Sequence, residues 1–183
     1  MLIRDTREGN GLVSRAFHWV TAAAIVGMFA LGWWMVGLNY YSPYHNSAPD
    51  LHRSVGILLL IALALRFVWR IANVKPTDSD LTPFEQRAAV LVHWGFYPLL
   101  LALSISGYLI ATPDGRPVDV FGLFSVPSVI QQQGLEDLAG LVHRVLAYTV
   151  IGLAALHTAA ALKHHFIDRK SILTRMWSGP PAE

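Results

Sequence analysis

Two histidines, His143 and His157, lie fourteen residues apart in one apolar stretch that is long enough to form a membrane-spanning helix. A helix rises about 1.5 Å per residue, so this spacing predicts a separation of roughly 21 Å within a hydrocarbon core about 30 Å thick. Fourteen helical steps also leave both imidazoles on one face. Three other apolar stretches each carry a histidine near one end, at His18, His52 and His93. Imidazoles at two depths of a membrane are suitable axial ligands for two stacked b-type haems, and we predict two such haems.

The composition is that of a membrane protein. Of the 183 residues, 54% are hydrophobic and only 14% are charged, and the mean hydropathy is +0.42. We therefore predict an all-α integral membrane protein, a four-transmembrane-helix antiparallel bundle enclosing two haems, with residues 1–183 as a single domain. The absence of cysteine excludes disulfides and thiolate-bound clusters. Four stretches are long enough to span a lipid bilayer: 17–38, 51–72, 88–112 and 138–163.

Basic residues are distributed unequally between the predicted connections. Eleven of the fourteen lysines and arginines lie in the N-terminal segment, around the second connection or in the tail. The positive-inside rule then predicts that both termini are cytoplasmic. No long basic run or basic helix is present, so we expect no nucleic-acid partner. The three remaining basic residues are Arg53, Arg116 and Arg144.

Two connections carry local signals. Thr82-Pro83-Phe84-Glu85 has the pattern of a capping box with proline at the first helical position, which predicts that the third helix begins there. The long outer connection, residues 113–137, contains glycines and prolines among apolar residues. We expect it to lie on the membrane surface, with a short interfacial helix as one form that it could take.

Antiparallel packing of the four helices sorts their polar residues into two layers. Glycines opposite histidines leave room for a flat macrocycle close to the backbone. Arg66 has two open interpretations, an ion pair with a haem propionate or a side chain that snorkels to the lipid headgroups. The outer layer contains Gly32, His52, Gly107 and His143, and the inner layer contains His18, Arg66, His93 and His157.

The two layers differ in how well spacing alone assigns the haem ligands. The outer layer has only two histidines, so His52 and His143 form the pair. The inner layer has three, and spacing does not decide whether His18 or His93 is the partner of His157. The inner pairing therefore stays open at this point.

Four segments carry a resemblance to a known family: SRAFHW at residues 14–19, DLHRSVG at 50–56, VHWG at 92–95 and LHTAAALKHH at 156–165. On these segments, and on LTRM at 173–176, the sequence resembles the bacterial cytochrome b561 family over residues 12–177. The resemblance implies a protein of the bacterial inner membrane in which His18 and His157 hold one haem, and His52 and His143 the other. It also implies a superoxide:ubiquinone oxidoreductase.

A quinone pocket is expected beside the inner haem. His93, Trp94, Lys163 and His164 are candidates to line it, because His164 follows His157 by seven residues and quinone reduction requires protons. The alternative for His93 is a hydrogen bond to a propionate or to another helix.

An anion entrance is expected at the outer side. Arg53 and Arg144 each directly follow an outer histidine and Arg116 lies in the outer loop, so these three are the candidate catalytic residues that would attract superoxide. Acidic residues on the same side oppose that field: Asp50, Asp114, Asp119, Glu136 and Asp137.

Three classes of function remain open from the sequence. The first is a free-standing haem enzyme that links superoxide, or another outer electron donor, to ubiquinone. The second is a cytochrome subunit that relays electrons between a partner dehydrogenase or hydrogenase and the quinone pool. The third is a channel or transporter without haem that uses its histidines as transition-metal sites.

Overall fold

The computed structural model describes residues 2–77 and 81–178, and its main elements are four long helices. Each helix is long and apolar enough to cross a membrane, which confirms the predicted helical fold class. A π-helical segment, Lys163–Ile167, follows the fourth helix, and a short α5, Ile172–Trp177, follows that. The long helices are α1 (Leu12–Met35), α2 (Ser47–Ala72), α3 (Pro83–Ala111) and α4 (Leu135–Leu162).

The four helices begin three to five residues earlier than the predicted spans. Their first turns contain charged residues such as Arg15, Asp50 and Glu136, which reduce the local hydropathy without interrupting the helix. The start of α3 confirms the predicted capping box. The backbone N–H of Thr82 donates to Oε2 of Glu85 at 2.9 Å, and the N–H of Glu85 donates to Oγ1 of Thr82 at 3.4 Å.

The connection between α3 and α4 contains a β-hairpin, so the short interfacial helix that we allowed for there is wrong. Strand β1 (Val118–Val120) pairs antiparallel with β2 (Phe124–Val126). The turn places Phe121 and Gly122 at positive φ, and the N–H of Gly122 donates to Asp119 at 2.7 Å. An alternation of apolar and polar residues that is only three residues long does not distinguish a strand from an irregular loop in the sequence.

The hairpin packs against α2, the helix that carries His52. Val118 and Val120 are buried and pack with Ile57 of α2. The hydroxyl of Ser54 donates to the carbonyl of Asp119 at 3.1 Å. These contacts hold the N-terminal part of α2 in place, because Ser54 and Ile57 lie two and five residues after His52.

The described chain divides into two compact units, each of which draws on all four long helices. The first unit contains the chain up to Ala22, Ala62–Tyr97 and the chain from Gly152 onward. The second unit contains Ala23–Ile61 and Pro98–Ile151. Of the predicted domain 1–183, residues 1, 78–80 and 179–183 lie outside the described residues.

In the first unit, α5 is hydrogen-bonded to the N-terminal part of α1. The buried guanidinium of Arg15 donates to the carbonyl of Trp177, and Nε1 of Trp19 donates to the carbonyl of Met176 at 2.9 Å. The rings of Trp19 and Trp177 also meet edge to face, with their centres 5.8 Å apart. Trp19 in turn contacts His18, at 5.2 Å between ring centres. The last helix of the chain therefore packs close to a predicted haem ligand.

Candidate haem sites

The second unit brings together the two predicted outer histidines. The ring centres of His52 on α2 and His143 on α4 are 6.2 Å apart, and the ring planes are inclined at 74°. Each ring lies against a glycine. A Cβ atom added to Gly32 would lie 3.2 Å from Cε1 of His52, and one added to Gly107 would lie 3.0 Å from Cε1 of His143. The two glycines therefore permit the close approach of the imidazoles themselves, a role that the sequence analysis assigned to the macrocycle.

The two imidazoles of this pair are held differently. Nδ1 of His143 donates to the carbonyl oxygen of Leu103 at 2.9 Å and lies 3.2 Å from the hydroxyl of Ser106. A hydrogen on Nδ1 leaves the lone pair of Nε2 available to a metal. Nδ1 of His52 is buried and has no hydrogen-bond partner in the described part of the chain.

The first unit brings together three histidines. The ring centres of His18 and His157 are 6.3 Å apart with an interplanar angle of 67°. His93 lies closer to His157, at 5.2 Å, and Phe96 contacts the same ring at 6.2 Å. Nη2 of Arg66 is 3.5 Å from Nδ1 of His18, which is the outer limit of a hydrogen bond. This site is accordingly more crowded and more cationic than the pair in the second unit.

Both units fit a haem with two histidine ligands. Two imidazoles that share one metal ion would have ring centres no more than about 6.3 Å apart, given metal–nitrogen bonds of about 2.0–2.1 Å and a nitrogen about 1.1 Å from each ring centre. The separations of His52 from His143 and of His18 from His157 match this value. The separation of His93 from His157 is about 1 Å shorter than it. Neutral imidazoles are also the donors that b-type haem iron takes.

Two of the three predicted anion-attracting arginines are paired with carboxylates. Arg53 forms an ion pair with Asp50, and Nε of Arg116 lies 2.9 Å from Oδ2 of Asp114. Arg144 is exposed and has no ion-pair partner among residues 2–77 and 81–178. Of the three, Arg144 keeps its charge free for an anion.

A cavity of about 580 Å³ lies where the hairpin meets the N-terminal part of α2. Its lining contains the two paired arginines. It also contains a third carboxylate, so acidic groups outnumber basic ones along the wall. The charged lining residues are Asp50, Arg53, Asp114, Arg116 and Asp119.

The four predicted quinone residues fall into two groups in the first unit. His93 contacts His157, and Trp94 packs against Phe67 and Tyr97 at 6.3 and 5.9 Å between ring centres. Lys163 and His164 belong to a different cluster, at the π-helical segment.

In that cluster, His164 lies between two carboxylates. Nδ1 of His164 and Nζ of Lys163 both donate to Oδ2 of Asp168, each at 2.7 Å. Oε1 of Glu85 lies 3.8 Å from the same Nδ1, and Nζ of Lys170 donates to Oε2 of Glu85 at 3.2 Å. The hydrogen bonds from Lys163 and His164 hold the pKa of Asp168 below its ordinary value. Sequence reasoning did not connect Glu85, Asp168 and Lys170 with this cluster. The contacts of Glu85 join separate segments and cannot be read from local spacing, whereas Asp168 follows His164 by four residues, a spacing that indicates a pair.

Comparison with known proteins shows the family of this chain. The profile of the prokaryotic cytochrome b561 family matches residues 10–179. Cytochrome b561 homolog 2 of Escherichia coli strain K12 is 46% identical over 178 residues, which cover 96% of this chain and 95% of that relative. Cytochrome b561 homolog 1 of the same strain is 26% identical over 164 residues, 87% of this chain and 91% of the relative.

A third relative carries a more specific name. The protein named Probable superoxide oxidase CybB from Yersinia pestis is 28% identical over 165 residues, 87% of this chain and 90% of the relative. The match of the family profile to nearly the whole chain, together with the 46% identity, shows that this protein belongs to the prokaryotic cytochrome b561 family of haem-containing electron-transfer proteins of the membrane.

Proposed function

We propose that this protein carries electrons through the bacterial inner membrane by means of two b-type haems. His52 and His143 would hold one, and His18 and His157 the other. The observation that carries the proposal is the agreement of two ring separations, 6.2 and 6.3 Å, with the spacing of two imidazoles on one iron atom. Family membership argues against the channel or transporter without haem.

The chain contributes orientation and charge to this chemistry. A bound haem supplies reversible one-electron transfer at its iron. The carbonyl of Leu103 accepts a hydrogen bond from Nδ1 of His143 and so keeps the ring proton on Nδ1. Nε2 therefore has no proton to lose before it binds iron. Arg66 places a positive charge beside His18, which suits a haem propionate and favours the reduced state of that site.

We further propose that the donor is superoxide and the acceptor ubiquinone. Two superoxide anions each lose one electron and become O2, and one ubiquinone takes up both electrons and two protons to become the quinol. The relative from Yersinia pestis named as a probable superoxide oxidase supports this donor. Arg144 supports it as well, because an unpaired guanidinium next to His143 attracts a small anion.

The quinone would bind in the first unit, with both chain termini on the cytoplasmic side. His93 and Trp94 lie on α3 next to the predicted ligand His157, and together with Phe67 and Tyr97 they offer flat aromatic surfaces of the kind that a quinone ring packs against. Lys163 and His164 would serve this pocket from the π-helical segment.

A specific observation favours one alternative, a cytochrome subunit that receives electrons from a partner protein. The cavity beside the hairpin has more carboxylates than guanidinium groups on its wall, because Asp50, Asp114 and Asp119 outnumber Arg53 and Arg116. Such a wall suits a basic patch of a partner dehydrogenase or hydrogenase better than it suits superoxide.

One experiment separates these two functions. The purified protein is mixed with superoxide in a stopped-flow instrument, with and without a soluble ubiquinone analogue, and the haem absorption is followed. We expect rapid haem reduction by superoxide, and reoxidation when quinone is present. If superoxide reduces the haems no faster than an uncharged donor of similar size, the partner-protein function becomes the better account.

A further inference from the structure

The cluster around His164 has the composition of a site for proton exchange. Its imidazole lies between the carboxylates of Asp168 and Glu85, whose oxygens are 2.7 and 3.8 Å from Nδ1. Lys163 neutralises one carboxylate and Lys170 the other. Without a proton on the imidazole the four charges cancel, so the cluster can accept one proton that is stabilised by two adjacent carboxylates.

The two ring nitrogens of His164 have separate roles in this geometry. Nδ1 is committed to Asp168, whereas Nε2 makes no hydrogen bond within the part of the chain that the structure describes. A histidine that is anchored by one ring nitrogen and free at the other can accept a proton at one nitrogen and release one from the other.

The cluster joins α3, which carries His93 and Trp94 of the proposed quinone pocket, to the π-helical segment that follows α4. Glu85 lies about 12 Å along α3 from His93, and His164 lies about 10 Å along the chain from His157, whose ring His93 contacts. The helix also widens here, because residues Lys163–Ile167 are π-helical. Single π-helical turns within helices occur frequently at functional sites.

We propose that Glu85, His164 and Asp168 form the relay that delivers protons to the quinone. This inference rests on the proposed quinone reduction and names its proton source. For each quinone, two electrons arrive from the protein and two protons pass from the aqueous phase through His164. Glu85 and Asp168 hold the protonated imidazole, and Lys163 and Lys170 keep the two carboxylates ionised between transfers.

The test compares H164Q with the matched control H165Q. His165 is the adjacent residue of the same π-helical segment; its Nδ1 donates to the carbonyl of Lys170 at 3.3 Å, and its ring contacts Phe166. Haem reduction by dithionite and reoxidation by a ubiquinone analogue are measured from pH 6 to 9. We expect H164Q to slow reoxidation roughly tenfold to hundredfold, to alter its pH dependence and to be rescued in part by added imidazole. Reduction by dithionite and the behaviour of H165Q should stay as in the unmodified protein.

A second variant and a metal ion cover the case in which H164Q fails to fold. E85Q keeps a side chain that can form the capping box with Thr82 and removes only the negative charge. In addition, the ligand atoms of Glu85, His164 and Asp168 all lie within 4.8 Å of one another, so Zn²⁺ is a direct probe of the cluster. Zn²⁺ should slow reoxidation of the unmodified protein and of H165Q, and should have a weaker effect on E85Q.

The outcomes separate this inference from the function on which it rests. If the unmodified protein does not pass electrons to quinone at all, the proposed function fails. If it does, but H164Q and E85Q reoxidise at the normal rate with the normal pH dependence, or Zn²⁺ inhibits E85Q as strongly as the unmodified protein, the relay is overturned. A slow variant that imidazole does not rescue and whose pH profile is unchanged would show a purely structural cluster, which also overturns the relay.

Discussion

The two candidate haem sites are built from the same residue type by different means. In the second unit, His52 and His143 each lie against a glycine, and one of them is oriented by a backbone carbonyl. In the first unit, His157 is contacted by His18, His93 and Phe96, and a guanidinium lies beside His18. One site is therefore specified by backbone shape and a single hydrogen bond. The other is specified by several side-chain contacts and a positive charge, and it contains a third imidazole, that of His93.

This difference predicts unequal tolerance to loss of a ligand, which is the largest effect that we expect. H143A should reduce the haem content to one per chain, because no third histidine contacts that pair in the described residues. H18A should retain more than one haem per chain, since His93 already lies against His157 and can replace the missing ligand in part once the two rings move about 1 Å apart. Pyridine haemochrome analysis of the purified variants measures both values. The loop variant H45A is the control and should keep two haems. Equal losses in H143A and H18A would contradict the comparison.

The second largest effect that we expect comes from replacing the glycine that lies against His143. G107A places a Cβ about 3.0 Å from the ring of His143, so the imidazole or the helix must shift, at a cost of about 1–3 kcal/mol. We expect a lower thermal transition and weaker retention of the haem in the second unit. G140A is the matched control, because a Cβ at Gly140 meets nothing within 4 Å. A variant G107A that is as stable as G140A and retains both haems would show that the close contact is not required.

The positive charge of Arg66 should raise the reduction potential of a haem that His18 binds. R66Q removes a cation next to His18, which destabilises the electron-rich reduced state, and one of the two potentials should fall by on the order of 50 mV. The other potential should stay within error, as should both potentials of the control R87Q. Redox titration with optical detection provides the measurement. A fall in both potentials by the same amount would mean that Arg66 acts on the protein as a whole.

The smallest effect concerns the approach of the electron donor to the second unit. R144Q should slow haem reduction by superoxide about twofold to fivefold at low ionic strength, because the free charge of Arg144 contributes to steering. The double variant D50N/R53Q removes an ion pair without changing the net charge and should leave the rate unaltered. Stopped-flow rates over a range of salt concentrations test this. A slower D50N/R53Q with an unaffected R144Q would move the entrance to the cavity beside the hairpin.

The sequence predicted the four helices and the outer histidine pair, because hydropathy and helical spacing are properties of single segments. It did not predict the hairpin after α3, whose three-residue strands are defined by burial of Val118 and Val120 against another helix. Spacing left the choice between His18 and His93 open, because both were predicted at one depth, and only the family resemblance favoured His18. The distances between the rings, 6.3 against 5.2 Å, now distinguish the two. Asp168 follows His164 by four residues, so this pair could have been predicted from helical spacing, whereas the approach of Glu85 from α3 could not.

The contact between the tail and α1 has a consequence for biogenesis. Every residue described above around His52 and His143 has been translated once synthesis reaches Ile151, the end of the second unit. The neighbours of His18 include Trp19, and that tryptophan is held by Met176 and Trp177, more than 150 residues later in the chain. Loop closure of this length is slow compared with local helix formation. During membrane insertion, the site in the second unit can therefore be assembled first, and the contacts around His18 become complete only after Met176 and Trp177 have been translated.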